Sequence, residues 1–340
     1  MIRLVQFQIS DESRRVGIVS GENILDVTDI RPELSSTYKI FMESCRTGIS
    51  FLETLRDLGK RAPYYGPYSI LLDATPDDRV RLLPPVDHPD PSHCIVSGTG
   101  LTHLGSTDQR KEMHTESGIQ MTDSEQMFQW GIKGGRPVQG RGVQPEWFYK
   151  GDGSILKGHN DYLDLPSYAQ DGGEEAEVAG CYMIDPGGHP HRVGFSIGNE
   201  WSDHKMEEQN FLWLAPSKLR TCAIGPELVI GLSFSNLQGR TRIFRAGSEL
   251  YDSGIFLTGE ENMSHSLKNL EDHHFKYPLF RRPGDVHVHF LGTPRFSFGN
   301  CPSLQDKDRI EIEIDHMGPP LVNTVRQGHQ DDIPIKVIEP

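Results

Sequence analysis

Two glutamates spaced two residues apart carry the first chemical signal in the sequence. Glu175 and Glu177 lie in the run GGEEAEVAG, which leads into a strand-like stretch. Because alternate residues of a strand project toward one face, we expect these carboxylates to lie side by side. Such a pair repels unless a cation neutralises it, and oxygen ligands favour Mg²⁺, Mn²⁺ or Ca²⁺ over zinc. A solvated acidic turn is the alternative interpretation.

A second acidic patch follows in GFSIGNEWSDHKMEEQN, where Glu200 and Asp203 come just after an apolar, strand-like stretch. Either carboxylate could complete a three-acid metal site with the first pair. The alternative is structural, because acidic side chains are also common near the positive end of a helix dipole. The residue types leave both interpretations open.

Histidines are frequent in this chain. His287 and His289 in DVHVHFLG share one face of a predicted strand, which could indicate a second metal site. We favour a structural role, because no third ligand with suitable spacing accompanies them. The sequence also contains no Gly-rich phosphate loop of the strand-turn-helix type and no Gly-x-Ser-x-Gly motif. We therefore expect no nucleotide cofactor.

The composition narrows the class of protein. With 340 residues, 36% hydrophobic residues and a formal net charge of −14, the chain is expected to fold and to bind neither nucleic acid nor anionic membranes, which both attract basic surfaces. Its five cysteines are scattered and form no zinc or redox pairs. No signal peptide and no apolar run of bilayer length is evident, so we expect a cytoplasmic protein.

The elements that must position these residues fall into two parts. The stretches RLVQFQI, RRVGIVS and NILDVTDI predict an antiparallel meander. A single helix over residues 38–60 is expected next, with Leu52 and Leu55 on one face. Four prolines in LLPPVDHPDP preclude a helix or a central strand and mark a domain junction. We predict a small N-terminal α/β domain, residues 1–84, and a larger domain, residues 85–340.

The larger domain is expected to consist mostly of strands. Thr122 and Glu125 fit a capping box for a helix that passes through Trp130 and ends at the Gly134-Gly135 pair. Six β-rich stretches then alternate with Gly and Pro turns. They are EVAGCYMI, RVGFSIG, ELVIGLSF, TRIFRAG, DVHVHFLG and RIEIEID. The pattern indicates a β-dominated domain.

The order of several short motifs resembles one known family. The motifs are P-E-W-F-Y-K at 145–150, E-A-E at 175–177, G-N-E-W-S at 198–202, S-K at 217–218, G-P-E at 225–227, P-G-D-V at 283–286 and G-T-P at 292–294. Each is weak alone, but their order and spacing resemble the catalytic domain of the fumarylacetoacetate hydrolase superfamily. The resemblance implies an α+β, β-dominated fold, a mixed β-sandwich roll that carries a small N-terminal domain.

The resemblance also implies a metal site. Its ligands would be Glu175, Glu177 and Glu200, with Mg²⁺ as the expected ion and Mn²⁺ or Ca²⁺ as alternatives. The family usually has Asp at the last of these positions, so Glu200 is a departure. Asp203 is the second choice for the third ligand.

Further site residues follow from the same resemblance. Lys218 matches an active-site lysine, and Glu146 stands where the sugar-acid dehydratases that resemble this chain place an acid. We expect these two to divide the proton transfers. Lys150 and Thr293 resemble contacts to the substrate carboxylate, although a peripheral salt bridge and a structural turn hydroxyl are the alternatives. His103 matches a histidine of the family's substrate loop.

The loop around that histidine, CIVSGTGLTHLGS, departs from the family pattern. Thr99 and Gly100 stand where the family has polar and aromatic residues, which puts the usual hydrolytic role of the loop in doubt. Together with Glu146, this departure makes the chain look similar to 2-keto-3-deoxy-D-arabinonate dehydratases. We therefore expect a metal-dependent lyase, a hydro-lyase that converts a 2-keto-3-deoxypentonate to 2,5-dioxopentanoate through a metal-stabilised enolate.

Two other functions stay open. One is a hydrolase that cleaves a carbon-carbon bond in an acylpyruvate or a 2,4-diketo-3-deoxy sugar acid, with His103 as part of its base; decarboxylation and retro-aldol cleavage are chemically close to it. The other is a sugar-acid binding protein that has lost the chemistry. The resemblance further implies a homodimer or homotetramer.

Overall fold

The chain is built mainly from strands. The computed structural model describes residues 1–10, 13–105, 123–328 and 334–340. Its strands are β1 Ile2–Ser10, β2 Ser13–Ser20, β3 Asn23–Asp26, β4 Tyr64–Pro67, β5 Arg81–Leu83, β6 Cys94–Thr99, β7 Trp147–Asp152, β8 Leu156–Lys157, β9 Tyr162–Leu165, β10 Ala176–Ile184, β11 Pro190–Asn199, β12 Cys222–Ile230, β13 Leu237–Arg245, β14 Ser248–Asp252, β15 Phe256–Thr258, β16 Val286–Phe290, β17 Arg309–Ile314 and β18 Leu321–Gln327. The six β-rich stretches of the larger domain all contain strands, as predicted.

The helices are fewer and mostly short. The α-helices are Val27–Ile30, Thr37–Thr47, Phe51–Arg61, Ser69–Leu72, Asp123–Gly134, His204–Gln209, Leu214–Ser217 and Leu267–Phe275, and the 3-10 turns are Pro91–His93, Gly153–Ile155, Phe211–Trp213, Glu260–Asn262 and Pro278–Arg281. Among the described residues, no helix combines the length and the apolar composition that crossing a bilayer requires.

The predicted helix over residues 38–60 is wrong, because two helices occupy this stretch. The first ends at Gly48, whose φ of 70° is the left-handed conformation that commonly terminates helices. The second begins after Ser50, whose hydroxyl accepts a hydrogen bond from Glu53 N at 3.2 Å and donates one to the Glu53 carboxylate at 2.7 Å. The helix stop at Gly48 and the helix start at Ser50 therefore lie two residues apart.

The helix predicted after residue 122 is confirmed as Asp123–Gly134. Thr122, the proposed cap, lies outside the described residues, so the capping box stays a prediction. The helix brings Ser124 close to Glu146, a contact that matters for the site.

One large sheet contains strands from both predicted domains. Its strand order is β4-β3-β2-β1-β12-β11-β10-β16-β6-β7, with β5 also on β1 and β8 on β12. The N-terminal meander is confirmed, since β1, β2 and β3 pair antiparallel. β1 also pairs antiparallel with β12 through Leu4 and Leu228. Residues 1–84 thus share a continuous sheet with the rest of the chain, and the boundary at 84/85 stays a prediction.

A smaller sheet packs against the large one. Its order is β14-β13-β17-β18-β9, and β15 also pairs with β13. Apolar side chains from both sheets form the core between them, among them Val178 and Ile197 from the large sheet and Ile243 and Ile312 from the small one. A second core covers the other side of the large sheet, where the helices Thr37–Thr47 and Phe51–Arg61 pack.

Candidate metal centre and active-site pocket

The acidic pair lies where β10 begins. Ala176 and Val178 point into the core between the sheets. Because side chains alternate along a strand, Glu175 and Glu177 project toward the opposite face and lie side by side, as the two-residue spacing predicts. Both are buried, with relative exposures of 8% and 1%.

Glu200 joins this pair through the backbone. β11 pairs with β10 as far as Asn199, opposite Ala176. The next residue continues the pairing, since Glu200 N donates to Glu175 O at 3.0 Å. The carboxylates of Glu175, Glu177 and Glu200 each offer an oxygen, and these oxygens all lie within 4.8 Å of one another. The three acids that the resemblance singles out therefore form one buried cluster, which we call the acid triad.

Asp203, the second choice for the third ligand, faces elsewhere. It precedes the helix His204–Gln209 and accepts a hydrogen bond from Met206 N at 3.1 Å. Its other oxygen pairs with Arg220 at 3.0 Å. Asp203 is thus the helix-start acid that the structural interpretation of this patch describes, and Glu200 is the acid that lies in the triad.

Two buried lysines compensate the charge of the triad. Lys218 Nζ donates to Glu175 Oε1 and Glu200 Oε2, each at 2.7 Å, and to Ser202 Oγ at 2.9 Å. Lys150 Nζ lies 2.5 Å from Glu200 Oε1. Burial alone would lower the pKa of Lys218, but the carboxylates of Glu175, Glu200 and Glu207 hold that pKa well above its ordinary value. Lys218 is therefore an ammonium ion here.

The donor set fits a divalent cation. Burial, together with the nearby charges of Glu175 and Glu200, raises the pKa of Glu177 well above its ordinary value. The positive charge of the two lysines thus does not fully offset the negative charge of the triad. Glu200 Oε1 lies 2.5 Å from the ammonium of Lys150, which also donates to Trp201 O and Lys218 O. Three clustered carboxylates match the preferences of Mg²⁺, Mn²⁺ or Ca²⁺.

His204 also contacts the triad, and the sequence did not single it out. Its Nε2 lies 3.0 Å from Glu175 Oε1, the oxygen that Lys218 also binds. The imidazole is buried and packs against Phe296 and Phe298. Burial lowers the pKa of His204, but the hydrogen bond and the charge of Glu175 outweigh it, so the pKa is raised. Its place in N-E-W-S-D-H, four residues after Glu200, was the available signal.

A pocket opens beside the triad. Its described lining residues are Gly100, Leu101, Glu146, Phe148, Glu175, Glu207, Leu214, Lys218, Thr293 and Phe296. The structure thus brings the predicted pair Glu146 and Lys218 to the same pocket as Glu175. A larger cleft, around His159 and Arg309, contains none of the predicted residues.

Glu146 is fixed in this pocket from three sides. Its carbonyl accepts a hydrogen bond from Gly100 N at 3.1 Å. Its carboxylate accepts hydrogen bonds from Ser124 Oγ at 3.0 Å and from Leu101 N at 3.3 Å. A Cβ at residue 100 would lie 2.2 Å from Glu146 Cδ, so a side chain there would displace this carboxylate. The glycine at position 100 therefore leaves room for Glu146.

Solved structures show which fold this is. The chain is similar to a 2-keto-3-deoxy-D-arabinonate dehydratase complexed with magnesium and 2,5-dioxopentanoate, at a TM-score of 0.69 and 18% identity, over 96% of this chain and 100% of that one. It is also similar to a fumarylacetoacetate hydrolase from Exiguobacterium antarcticum, at a TM-score of 0.58 and 17% identity over the same shares. A 5-carboxymethyl-2-hydroxymuconate delta-isomerase from Mycobacterium smegmatis matches at 0.55 and 16%, again over the same shares.

The chain has the fumarylacetoacetate hydrolase fold. The fold class expected from the order of the motifs is confirmed. No protein-family model matches the sequence, and no curated protein matches it either. The likeness to these solved structures therefore lies in the fold.

The predicted substrate contacts have different places on the fumarylacetoacetate hydrolase fold. Thr293 lines the pocket, and its hydroxyl lies within hydrogen-bond distance of Ala176 O and Arg295 O, at 3.0 and 2.8 Å. Lys150 is fully buried and bonds the protein instead of lining the pocket. Both roles toward substrate stay predictions, and the contacts of Lys150 identify it as a counter-ion of Glu200.

His103 lies deeper than its predicted role requires. It is 1% exposed, and its two ring nitrogens each lie 3.0 Å from a threonine hydroxyl, those of Thr102 and Thr258. Burial lowers its pKa to about 3. It is not among the described residues that line the pocket, whereas its neighbours Gly100 and Leu101 are. A substrate contact by His103 stays a prediction.

His287 and His289 belong to a buried polar cluster of the same fold. His287 Nδ1 lies 3.0 Å from His274 Nε2. Because the indole of Trp147 donates to His274 Nδ1 at 3.2 Å, His274 must donate from Nε2 to His287. His289 contacts the hydroxyls of Ser97 and Thr99, each at 2.8 Å. These contacts are those of structural histidines between β6, β7 and β16.

Proposed function

We propose that this protein is a metal-dependent dehydratase, a hydro-lyase that converts a 2-keto-3-deoxypentonate to 2,5-dioxopentanoate. The observation that carries the proposal is the pocket that holds an acid, Glu146, and an amine, Lys218, beside the acid triad. Elimination of water needs one group that takes a proton and one that gives a proton. A solved structure of similar fold contains magnesium and 2,5-dioxopentanoate, which supports this choice of substrate.

Glu175, Glu177 and Glu200 would hold the cation, and Mg²⁺ is the ion we propose. When bound, it polarises the 2-oxo group of the substrate and stabilises the negative charge that develops on the C2 oxygen. Lys218 and Lys150 keep the three acids together by offsetting their mutual repulsion. His204 fixes Glu175 from the other side of Lys218, so that this carboxylate keeps one orientation.

The proton transfers fall to Glu146 and Lys218. One of them removes a proton from C3, and the other protonates the C4 hydroxyl, which leaves as water. A proton then moves from C5 to C3, which gives the enol of the C5 aldehyde, and its tautomerisation yields 2,5-dioxopentanoate. The pocket walls of Leu101, Phe148 and Phe296 are largely apolar, so they limit the access of bulk water to these steps.

Hydrolysis of a carbon-carbon bond is less well supported. That reaction needs a base for an attacking water, and the sequence offers His103 for this role. The low pKa of His103 makes the imidazole a poor base near neutral pH, and its nitrogens contact threonine hydroxyls. The departure from the family's loop pattern at Thr99 and Gly100 points the same way.

Product analysis tests the proposal. Purified protein with Mg²⁺ is incubated with 2-keto-3-deoxypentonates and, separately, with acylpyruvates. Formation of 2,5-dioxopentanoate supports dehydration, and formation of pyruvate or another short acid contradicts it. Substitution Glu146→Gln should lower kcat by about 10²-fold, the usual contribution of one proton-transfer group. Glu208→Gln, an exposed acid of the helix His204–Gln209, is the matched control and should leave kcat unchanged.

A further inference from the structure

The pocket beside the acid triad has an unusual charge. Apart from Glu175 and Lys218, its polar side chains are the acids Glu146 and Glu207 and the hydroxyl of Thr293, and its other walls are the apolar side chains of Leu101, Phe148 and Leu214, among others. Among the described residues that line the pocket, Lys218 is the one cation. A ligand whose head lies at the triad would therefore place its tail between two carboxylates and apolar surface.

The ammonium of Lys218 is already paired with carboxylates of the protein, so it cannot compensate a negative charge on a ligand tail. This ammonium lies within 2.7 Å of Glu175 and Glu200 and 3.3 Å from Glu207 Oε1. Three carboxylates thus contact this one ammonium. A further carboxylate on a ligand tail would meet the repulsion of Glu146 and Glu207 without a compensating cation from these walls.

Glu207 is held in this position by its neighbours. It lies on the helix His204–Gln209, and its carboxylate accepts a hydrogen bond from Ser217 Oγ at 2.7 Å. Its side chain is 10% exposed. The hydroxyl and the ammonium both bind Oε1. The other oxygen of Glu207 has no hydrogen-bond partner among the described residues and can accept a hydrogen bond from a hydroxyl group of a ligand.

We propose that Glu207 is a specificity residue, which selects 2-oxo acids with an uncharged, hydroxyl-bearing tail and rejects those with a second carboxylate. The inference rests on the proposed function, since it takes the 2-oxo acid head to lie at the triad. Hydroxyl groups donate hydrogen bonds to the carboxylates of Glu146 and Glu207, whereas a tail carboxylate can only accept them. Rejection by like charge is a common way to exclude a related ligand.

A pair of probes of equal chain length isolates the tail charge. The dissociation constants of 2-oxoglutarate and of its 5-methyl ester are measured by isothermal titration calorimetry, with Mg²⁺ in excess, for the wild type and for Glu207→Gln. The wild type should bind the ester about tenfold more tightly, since like charges in contact cost at least that much. Glu207→Gln keeps the acceptor for Ser217 and should reduce the difference to about threefold or less, mainly by tightening the binding of 2-oxoglutarate.

Glu208→Gln is the matched control, because it removes an exposed acid from the same helix, and it should keep the tenfold difference. Equal binding of both probes by the wild type overturns the inference, as does an unchanged difference in Glu207→Gln or the binding of neither probe. Selective binding of the ester without any formation of 2,5-dioxopentanoate would refute the dehydratase activity but leave the proposed role of Glu207 in selectivity intact. Formation of 2,5-dioxopentanoate without such selectivity would refute the role of Glu207 alone.

Discussion

The backbone N–H of Glu200 donates a hydrogen bond to the carbonyl oxygen of Glu175 over 3.0 Å. This single contact extends the pairing of β10 and β11 by one residue and brings an acid of the second patch beside the first pair. Because it is a backbone contact, the length of the acidic side chain at position 200 need not disturb it. The side chain instead reaches Lys150 and Lys218.

Removal of one acid should weaken cation binding while the fold is kept. Glu177→Gln preserves the volume of the side chain and the acceptor for Gly292 N, which donates to Glu177 Oε2 at 2.7 Å. Changes near a metal commonly cost about 10-fold to 100-fold in affinity, so the loss of a ligand should cost at least as much. Titration calorimetry with Mn²⁺ measures the effect, and a circular dichroism spectrum like that of the wild type confirms folding. Unchanged Mn²⁺ affinity would show that Glu177 is not a ligand.

His204 should act on cation binding through Glu175. In His204→Leu, Glu175 Oε1 loses one of its two partners and the carboxylate gains freedom to rotate, so the Mn²⁺ affinity should fall by about tenfold. His204→Gln keeps an N–H donor near the same place and should lose less. The dissociation constants of Mn²⁺ for the two variants and the wild type decide the matter. Equal affinities in all three proteins would mean that His204 only fills space between Phe296 and Phe298.

Gly100 should be essential for dehydration and dispensable for cation binding. In Gly100→Ala the new Cβ would lie 2.2 Å from Glu146 Cδ, so the carboxylate must leave its position. We expect kcat to fall by about 10²-fold, as for the loss of the acid itself, with Mn²⁺ affinity unchanged. Gly66→Ala is the control, because its Cβ would meet no atom closer than 3.9 Å. A Gly100→Ala enzyme of full activity would remove Glu146 from the proposed chemistry.

Burial of the neutral imidazole of His289 should lower the free energy of unfolding of the protein in acid. Burial lowers its pKa from 6.5 to about 3, so the unfolded chain binds a proton below pH 6.5 that the folded protein does not. Its contribution to the free energy of unfolding is therefore fully present above pH 6.5 and lost as the pH falls toward 3. His289→Asn removes this titration. Its stability deficit relative to the wild type should shrink by about 2 kcal/mol between pH 7.5 and pH 5.

Urea denaturation at four pH values between 7.5 and 4.5 measures this difference. His316→Asn is a suitable control, because His316 is exposed and its φ of 64° is one that asparagine tolerates. The control should show the pH dependence of the wild type. A deficit of His289→Asn that stays constant with pH would contradict the proposed burial of a neutral imidazole.

Much of the fold could be predicted because strands have a local sequence pattern, the alternation of side chains between two faces. The spacing of Glu175 and Glu177 placed both carboxylates on one face, which the alternation along β10 bears out. The break between the two N-terminal helices was also readable. Gly48 followed by Ser50 and Glu53 is a helix stop and a capping box, but the apolar spacing of Leu52 and Leu55 suggested a single helix.

The contacts around the site could be predicted only in part. That Glu200 and Lys218 lie with the first pair came from the order of the motifs, since no local pattern brings residues 25 or 43 positions from Glu175 to its side. Ser124, His204 and Glu207 were missed for the same reason. Each acts through a side-chain contact between distant segments, such as Ser124 with Glu146, and such contacts depend on how the elements pack.

The central claim is that three acids distant in sequence hold one divalent cation at the head of a pocket for a 2-oxo acid. A crystal of the full chain soaked with Mn²⁺ and pyruvate tests it most directly, through the anomalous scattering of manganese. We predict one anomalous peak in contact with Glu175, Glu177 and Glu200, with the two oxygens of pyruvate on its open side and Lys218 and Glu146 near its methyl carbon. No peak at the triad, or pyruvate bound away from it, would contradict the account.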